Sequence, residues 1–147
     1  MPMTVTYALD NLPERVESTL FLAGPTPRGP DTPSWRPGAL RILEDLGYGG
    51  TVLVPEDRSG RWRHGYDDQV DWECSMRRAA DIVAFWVPRD LEPADGTGRG
   101  GAPRMPAFTT NVEFGLDLGT GKVYRLPATA LPDAAARAGY VAQKWSL

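Results

Sequence analysis

Thr19-Leu20-Phe21-Leu22-Ala23-Gly24-Pro25 is a run of consecutive apolar side chains cut off by a glycine and a proline. A strand with one wet face alternates apolar and polar residues. A short run without that alternation is the pattern of a strand buried on both faces, which belongs in a parallel sheet covered by helices on each side. Further along, Thr51-Val52-Leu53-Val54 repeats the pattern and stops at Pro55-Glu56-Asp57. Asp81-Ile82-Val83-Ala84-Phe85-Trp86-Val87 is the clearest strand in the chain and ends at Pro88.

Helical signals fill the gaps between these runs. Ser34 and Pro37 mark a helix start, and Leu40, Leu43 and Leu46 recur at helical spacing until Gly47. A second helix is expected over 67–80 and a short one over 111–118. Residues 122–126 supply a fourth strand, and Pro132 opens a last helix that ends near Trp145. Residues 1–17 show no sustained period and are expected to wrap the surface. Residues 88–107, rich in glycine, proline and charge, predict a mobile loop. Strands alternating with helices predict one α/β domain over 1–147: an open parallel sheet of four to five strands, flavodoxin-like or Rossmann-like in order, with helices on both faces.

Composition narrows the classes of function. The chain has 147 residues, 41% of them hydrophobic, enough for one domain with a sizeable core. Sixteen basic against 19 acidic residues give a net charge of -3 without any Lys/Arg block, so no nucleic-acid partner is expected. Cys74 is the only cysteine, which rules out an internal disulfide. With neither a signal peptide nor a long apolar span, the expectation is a cytoplasmic protein with no membrane partner. One histidine, His64, and one cysteine leave a metal site short of ligands, so no metal and no cofactor are expected.

In an open α/β sheet, ligands bind beyond the carboxyl ends of the strands, where the strand order reverses. The segments Gly24-Pro25-Thr26, Pro55-Glu56-Asp57, Trp86-Val87-Pro88 and Asn111-Val112-Glu113 should therefore face one crevice. The glycine cluster at 96–101 lacks the Lys-Ser or Lys-Thr ending of a phosphate loop, and it lacks the strand and helix of a dinucleotide fingerprint. His64 sits in a polar loop, a poor place for a Ser/His/acid triad. Carboxylates are the better candidates. Glu113 opens a short helix of apolar and small residues, where an acid can also simply complement the helix dipole. Gln69, Glu73 and Ala80 share one face of the preceding helix and Trp72, Met76 and Ala79 another; a surface ion pair with Arg77 is the plain alternative for Glu73. Asp81 starts a strand, where a turn or cap is the plain alternative.

Three groups of residues together resemble one known family. They are Phe21-Leu22-Ala23-Gly24-Pro25, Gln69-Val70-Asp71-Trp72-Glu73 with Arg78-Ala79-Ala80-Asp81-Ile82-Val83-Ala84-Phe85-Trp86, and Asn111-Val112-Glu113-Phe114-Gly115 with Gly121-Lys122-Val123. Their order and spacing are similar to the nucleoside 2-deoxyribosyltransferase family, which includes 2'-deoxynucleoside 5'-phosphate N-hydrolases and cytidylate hydrolases. The resemblance covers about residues 18 to 125 and implies a flavodoxin-like fold. It also implies cleavage of an N-glycosidic bond by a glutamate that attacks the anomeric carbon, with the intermediate resolved by water or a second base.

By motif match, the resemblance puts Glu113 in the nucleophile role, Glu73 at an acidic position that contacts the sugar or assists protonation, and Asp81 at a recurrent aspartate. Gly24 and Pro25 match the loop lining the sugar and base pocket. Chemistry asks for a proton donor opposite the nucleophile, for which Glu73 is the choice and Asp57 the fallback. Trp35 and Trp86 are candidates to stack on the base. Arg28, with Thr26, Thr109 and Thr110, would supply an anion site for a 5'-phosphate. Many relatives carry a tyrosine where this chain has Phe21, and the hydroxyl that orients the nucleophile is absent here. They also often place an acid shortly before the nucleophile, where this chain offers Asn111 as a base or sugar contact. In the transferases a carboxyl-terminal element completes a neighbouring subunit's site, which raises a homodimer or higher homo-oligomer; the tail over 125–147 does not match that element. The expected activity is that of a nucleoside or nucleoside 5'-monophosphate N-glycosidase. A 2-deoxyribosyltransferase proper, a NAD-type glycohydrolase and a non-catalytic nucleotide-sensing module stay open beside it.

Overall fold

The computed structural model describes residues 2–12, 18–26, 33–58, 66–87, 90–93, 103–105 and 107–125. In chain order these form β1 (Thr4–Tyr7), β2 (Thr19–Ala23), α1 (Arg36–Asp45), β3 (Thr51–Val54), α2 (Tyr66–Ala79) and β4 (Ile82–Phe85). They continue with β5 (Asp90–Pro93), β6 (Pro103–Met105), α3 (Phe108–Asp117), a short 3-10 turn (Leu118–Thr120) and β7 (Val123–Arg125). Five strands make one all-parallel sheet in the order β1-β3-β2-β4-β7. The order of its last four strands is that of a flavodoxin-like sheet, with β1 added at the edge beside β3.

The parity of the strands assigns the two faces. Leu20, Leu22, Val52, Val54, Ala84 and Trp86 point to one side, where Trp35, Ala39, Leu40 and Leu43 of α1 and its N-terminal flank cover them. Phe21, Ala23, Leu53, Val83 and Phe85 point to the other, under Trp72 and Met76 of α2 and Phe114 of α3. Successive side chains of a strand alternate in direction, so an uninterrupted apolar run fills both layers at once. Removing a side chain from the middle, as in Leu53→Ala, costs about 2–5 kcal/mol.

Strands occur in two segments where none was expected. Within 1–17, expected to wrap the surface, Thr4–Tyr7 pairs in register with Thr51–Val54 as an edge strand, with Val5 and Tyr7 packed on the α1 layer. Within 88–107, expected to be a mobile loop, β5 and β6 pair as an antiparallel ribbon. His64, the glycine cluster at 96–101 and the expected helix from Pro132 to Trp145 lie outside the described residues.

From β2 the chain crosses through α1 to β3 on one side, and from β3 it crosses through α2, on the opposite face, to β4 on the other side of β2. The order therefore reverses at β2 and β4, whose carboxyl ends are Ala23-Gly24 and Phe85-Trp86. A parallel sheet opens its ligand crevice there.

Candidate active site

Gly24 follows β2 with φ +152°, and a Cβ at this position would collide with the Trp86 carbonyl oxygen and lie 2.9 Å from Trp35 Cζ2. Glycine is required because two walls of the crevice meet on its backbone. Arg36, in the first turn of α1, reaches back to this turn. Its Nε donates to the Leu22 carbonyl at 3.1 Å, its Nη2 to the Gly24 carbonyl at 2.7 Å, and its Nη1 to Thr26 Oγ1 at 3.3 Å and to the Glu56 carboxylate. Ser34 Oγ donates to the other Glu56 oxygen at 2.7 Å and accepts from the Arg36 backbone N–H at 3.1 Å. The guanidinium carbon lies 4.9 Å over the Trp35 ring. Arg36 and Glu56 are 1% and 3% exposed, so each charge has left water and is met by a counter-charge and by hydrogen bonds. The cluster ties the carboxyl ends of β2 and β3 together. Sequence reasoning placed Glu56 in the crevice but gave neither residue a role, because a charged pair 20 positions apart leaves no periodic trace.

The second charged cluster lies between α2 and α3. Gln69 Nε2 donates to the Pro55 carbonyl at 3.1 Å, which anchors α2 at the end of β3, and to Glu73 Oε1 at 2.8 Å. The stripe continues one turn on to Arg77, whose Nη1 is 3.1 Å from Glu113 Oε1 and whose Nε is 3.0 Å from Asp117 Oδ2. The latter contact is too poorly aligned for a hydrogen bond. Phe114 meets Phe85 edge to face at 5.1 Å and pins α3 to the sheet beside Glu113. Arg77 thus joins α2 to α3 and does not form the surface pair with Glu73. Ala79 is exposed while Trp72 and Met76 pack on the core, so the expected second face of α2 holds only in part.

Helix α3 begins at Phe108, three residues before its expected start, which puts Glu113 in the second turn instead of at the helix mouth. The start is hidden in the sequence because Ala107, in the left-handed region at φ 56°, makes no side-chain cap. At that depth the helix dipole no longer accounts for an acid. Glu113 is 19% exposed. Burial pushes its carboxyl up to about 7; Glu73 and Asp117 add to the rise, and Arg77 and Arg36 oppose it. Burial also raises the Glu73 carboxyl, against the Gln69 hydrogen bond and the charges of Arg36 and Arg77. Glu73 and Glu113 therefore sense each other across the seam.

Several expected residues lie elsewhere. Asp81 sits at the amino end of β4, the opposite edge of the sheet, where its Oδ2 accepts from the Thr19 N–H at 2.7 Å and Oγ1 at 2.8 Å. Those bonds hold its carboxyl below the usual range, and the residue fastens the starts of β2 and β4 instead of joining the two glutamates. The Trp86 ring is 2% exposed and packs against Trp35 at 5.1 Å inside the α1 layer, so neither tryptophan presents a face to a nucleobase. Phe21 is equally buried, tilted against Trp72 at 6.5 Å, and lines core instead of pocket. Pro25 is buried behind the Gly24 turn; Asp57 is half-buried just beyond β3, and Asn111 is exposed in the first turn of α3. Thr110 is buried and Thr109 exposed. Arg28 lies outside the described residues.

Among the described residues, no group of three or more His, Cys, Asp or Glu side chains could hold a metal ion, and no helix is long and apolar enough to cross a membrane. No curated protein matches the chain. Residues 17–125, from the approach to β2 through the end of β7, match the family model described as nucleoside 2-deoxyribosyltransferase like. That span is well over half of the 147 residues and contains the Gly24 turn and both glutamate-bearing helices. The chain belongs to the nucleoside 2-deoxyribosyltransferase-like family.

Proposed function

We propose that the protein is an N-glycosidase that cleaves the bond between (deoxy)ribose and nucleobase in a nucleoside or nucleoside 5'-monophosphate, with Glu113 as nucleophile. The observation that carries this reading is the state of the Glu113 carboxyl. It is mostly withdrawn from water, lies 3.1 Å from Arg77 Nη1 of the neighbouring helix, and is pushed by burial up to about 7, where charged and neutral forms coexist at neutral pH. Membership of the family supports the same class of chemistry.

Breaking the C–N bond builds oxocarbenium character on the sugar. An ionised Glu113 stabilises that charge and attacks the anomeric carbon, giving a glycosyl ester while the bonding pair leaves with the base. The base departs neutral only if it gains a proton. Glu73, whose protonated form is favoured by burial, is the donor in this reading and then takes a proton from the water that hydrolyses the ester, returning Glu113 as carboxylate. In this reading the Gly24 turn lines the sugar and base pocket, and Asn111 at the start of α3 is the contact for the base or sugar. Water is the acceptor in the favoured reading, because no residue has been assigned to hold a second base.

The test is incubation with a panel of nucleosides, nucleoside 5'-monophosphates and NAD, followed by chromatography of the free base. Base release that disappears in Glu113→Gln supports the proposal. Tight binding with no release from any substrate would replace it with a sensor.

A further inference from the structure

Arg77, in the last turn of α2, carries a full charge yet is only 9% exposed. Two different nitrogens of its guanidinium approach two carboxylates that lie one turn apart on α3: Nη1 at 3.1 Å from Glu113 and Nε at 3.0 Å from Asp117. The guanidinium is planar and rigid, and the two carboxylates on separate nitrogens hold it between them as ion pairs, the Nε contact being too poorly aligned for a hydrogen bond. A nucleophile's oxygen must be held to within a fraction of an ångström of its line of attack. The nearby aromatic side chains, Phe21 against Trp72 and Phe85 against Phe114, pack without any polar atom of the two strand phenylalanines to share that task.

Resting on the reading of Glu113 as nucleophile, we propose that Arg77 is the positioning residue for its carboxylate, holding it in one orientation and in its charged form, and that Asp117 anchors Arg77 in turn. Arg77 touches the nucleophile and not the substrate. The charged groups that act on Glu113 are Glu73 and Arg77 from α2, Asp117 from its own helix and Arg36 from α1. Among these, Arg77 is the cation in direct contact.

The experiment compares wild type with Arg77→Met, Arg77→Lys and Asp117→Asn. It records kcat and KM for base release against pH, and the Glu113 titration by carbon-13 NMR of carboxyl-labelled glutamate, assigned with Glu113→Gln. Arg77→Met should lower kcat at pH 7 about 100-fold, leave KM unchanged, and move the rising limb and the Glu113 titration together to higher pH. Arg77→Lys should bring the limb back through its charge while recovering only part of kcat, and added guanidinium should partly rescue Arg77→Met. Asp117→Asn should lower kcat less than Arg77→Met. A loss of kcat equal at every pH, with the Glu113 titration unmoved in the folded variants, would overturn the proposal. If wild type releases no base from any substrate, the glycosidase reading fails by itself; the substrate-free titration still decides whether Arg77 sets the charge of Glu113, and should Arg77→Met not fold, an unmoved titration in the charge-removing Arg77→Gln overturns that as well.

Discussion

The Arg36–Glu56 cluster at the carboxyl ends of β2 and β3 and the Arg77–Glu113–Asp117 cluster between α2 and α3 both take charge out of water, yet only the first gives every charge its partners. Each Arg36 guanidinium nitrogen has an acceptor and each Glu56 oxygen a donor. In the second, Glu113, Asp117 and nearby Glu73 crowd around Arg77, and one of its two contacts is misaligned. A satisfied buried pair holds a fold in place. In the second cluster burial, with the neighbouring carboxylates adding to it, raises the Glu113 carboxyl, and burial raises that of Glu73, the property general acid–base and nucleophilic chemistry uses.

The largest effect that would separate the two clusters is on turnover. Glu113→Gln should lower base release on the order of 10⁶-fold, as loss of a nucleophile does elsewhere, while circular dichroism and melting show a folded protein. Equal activity would merge the second cluster with the first as mere structure. Next comes stability at the other site. Arg36→Met strands the Glu56 carboxylate in the interior, and denaturant titration should register a loss of about 3–5 kcal/mol. A loss below 1 kcal/mol would mean the Glu56 charge finds water.

The third effect has the opposite sign. The folded-state pKa of Glu113, about 7, lies above the ordinary value of 4.5, so its contribution to stability is fully present below pH 4.5 and is lost as pH rises through 7. Glutamine does not titrate. Glu113→Gln should therefore be more stable than wild type at pH 8, by up to about 3 kcal/mol, and show no such gain at pH 4. Destabilisation at pH 8 would mark the Arg77–Glu113 pair as a structural bridge. The smallest effect belongs to Asp81. Its lowered pKa contributes stability above the ordinary carboxylate range that is lost as pH falls through the folded value. Asp81→Ala should lower the melting temperature slightly at pH 7 and leave base release per folded molecule unchanged.

The fold was legible where side-chain periodicity is strong. The runs at 19–23, 51–54 and 82–85 carry apolar residues on both faces, and Gly47, at φ 71°, stops α1 where its backbone needs a left-handed turn. β1 was not, because Thr4-Val5-Thr6-Tyr7 interrupts its apolar residues with threonine and carries no continuous run like those of β2, β3 and β4. The candidate site was proposed from the motif residues Glu73, Glu113 and Gly24, of which Glu73 and Glu113 are partly buried on the neighbouring helices α2 and α3. It was misleading at Asp81, Phe21 and Trp86, whose neighbours in sequence are strand residues: a position one step along a strand decides between core, edge and crevice, and that step is set by register. Arg36 and Asp117 were missed, Glu56 was placed in the crevice without a role, and Arg77 was given Glu73 as partner, because the partners of all four lie on other elements.

Attack by Glu113 on the anomeric carbon would join its carboxylate to the sugar by a covalent bond. Acid quenching during steady-state turnover of a nucleoside 5'-monophosphate substrate, followed by peptide mass mapping, should find a 5-phosphopentosyl adduct on the peptide bearing Glu113, absent from Glu113→Gln. Base release with the adduct on a different residue, or undiminished release by the glutamine variant, would contradict it.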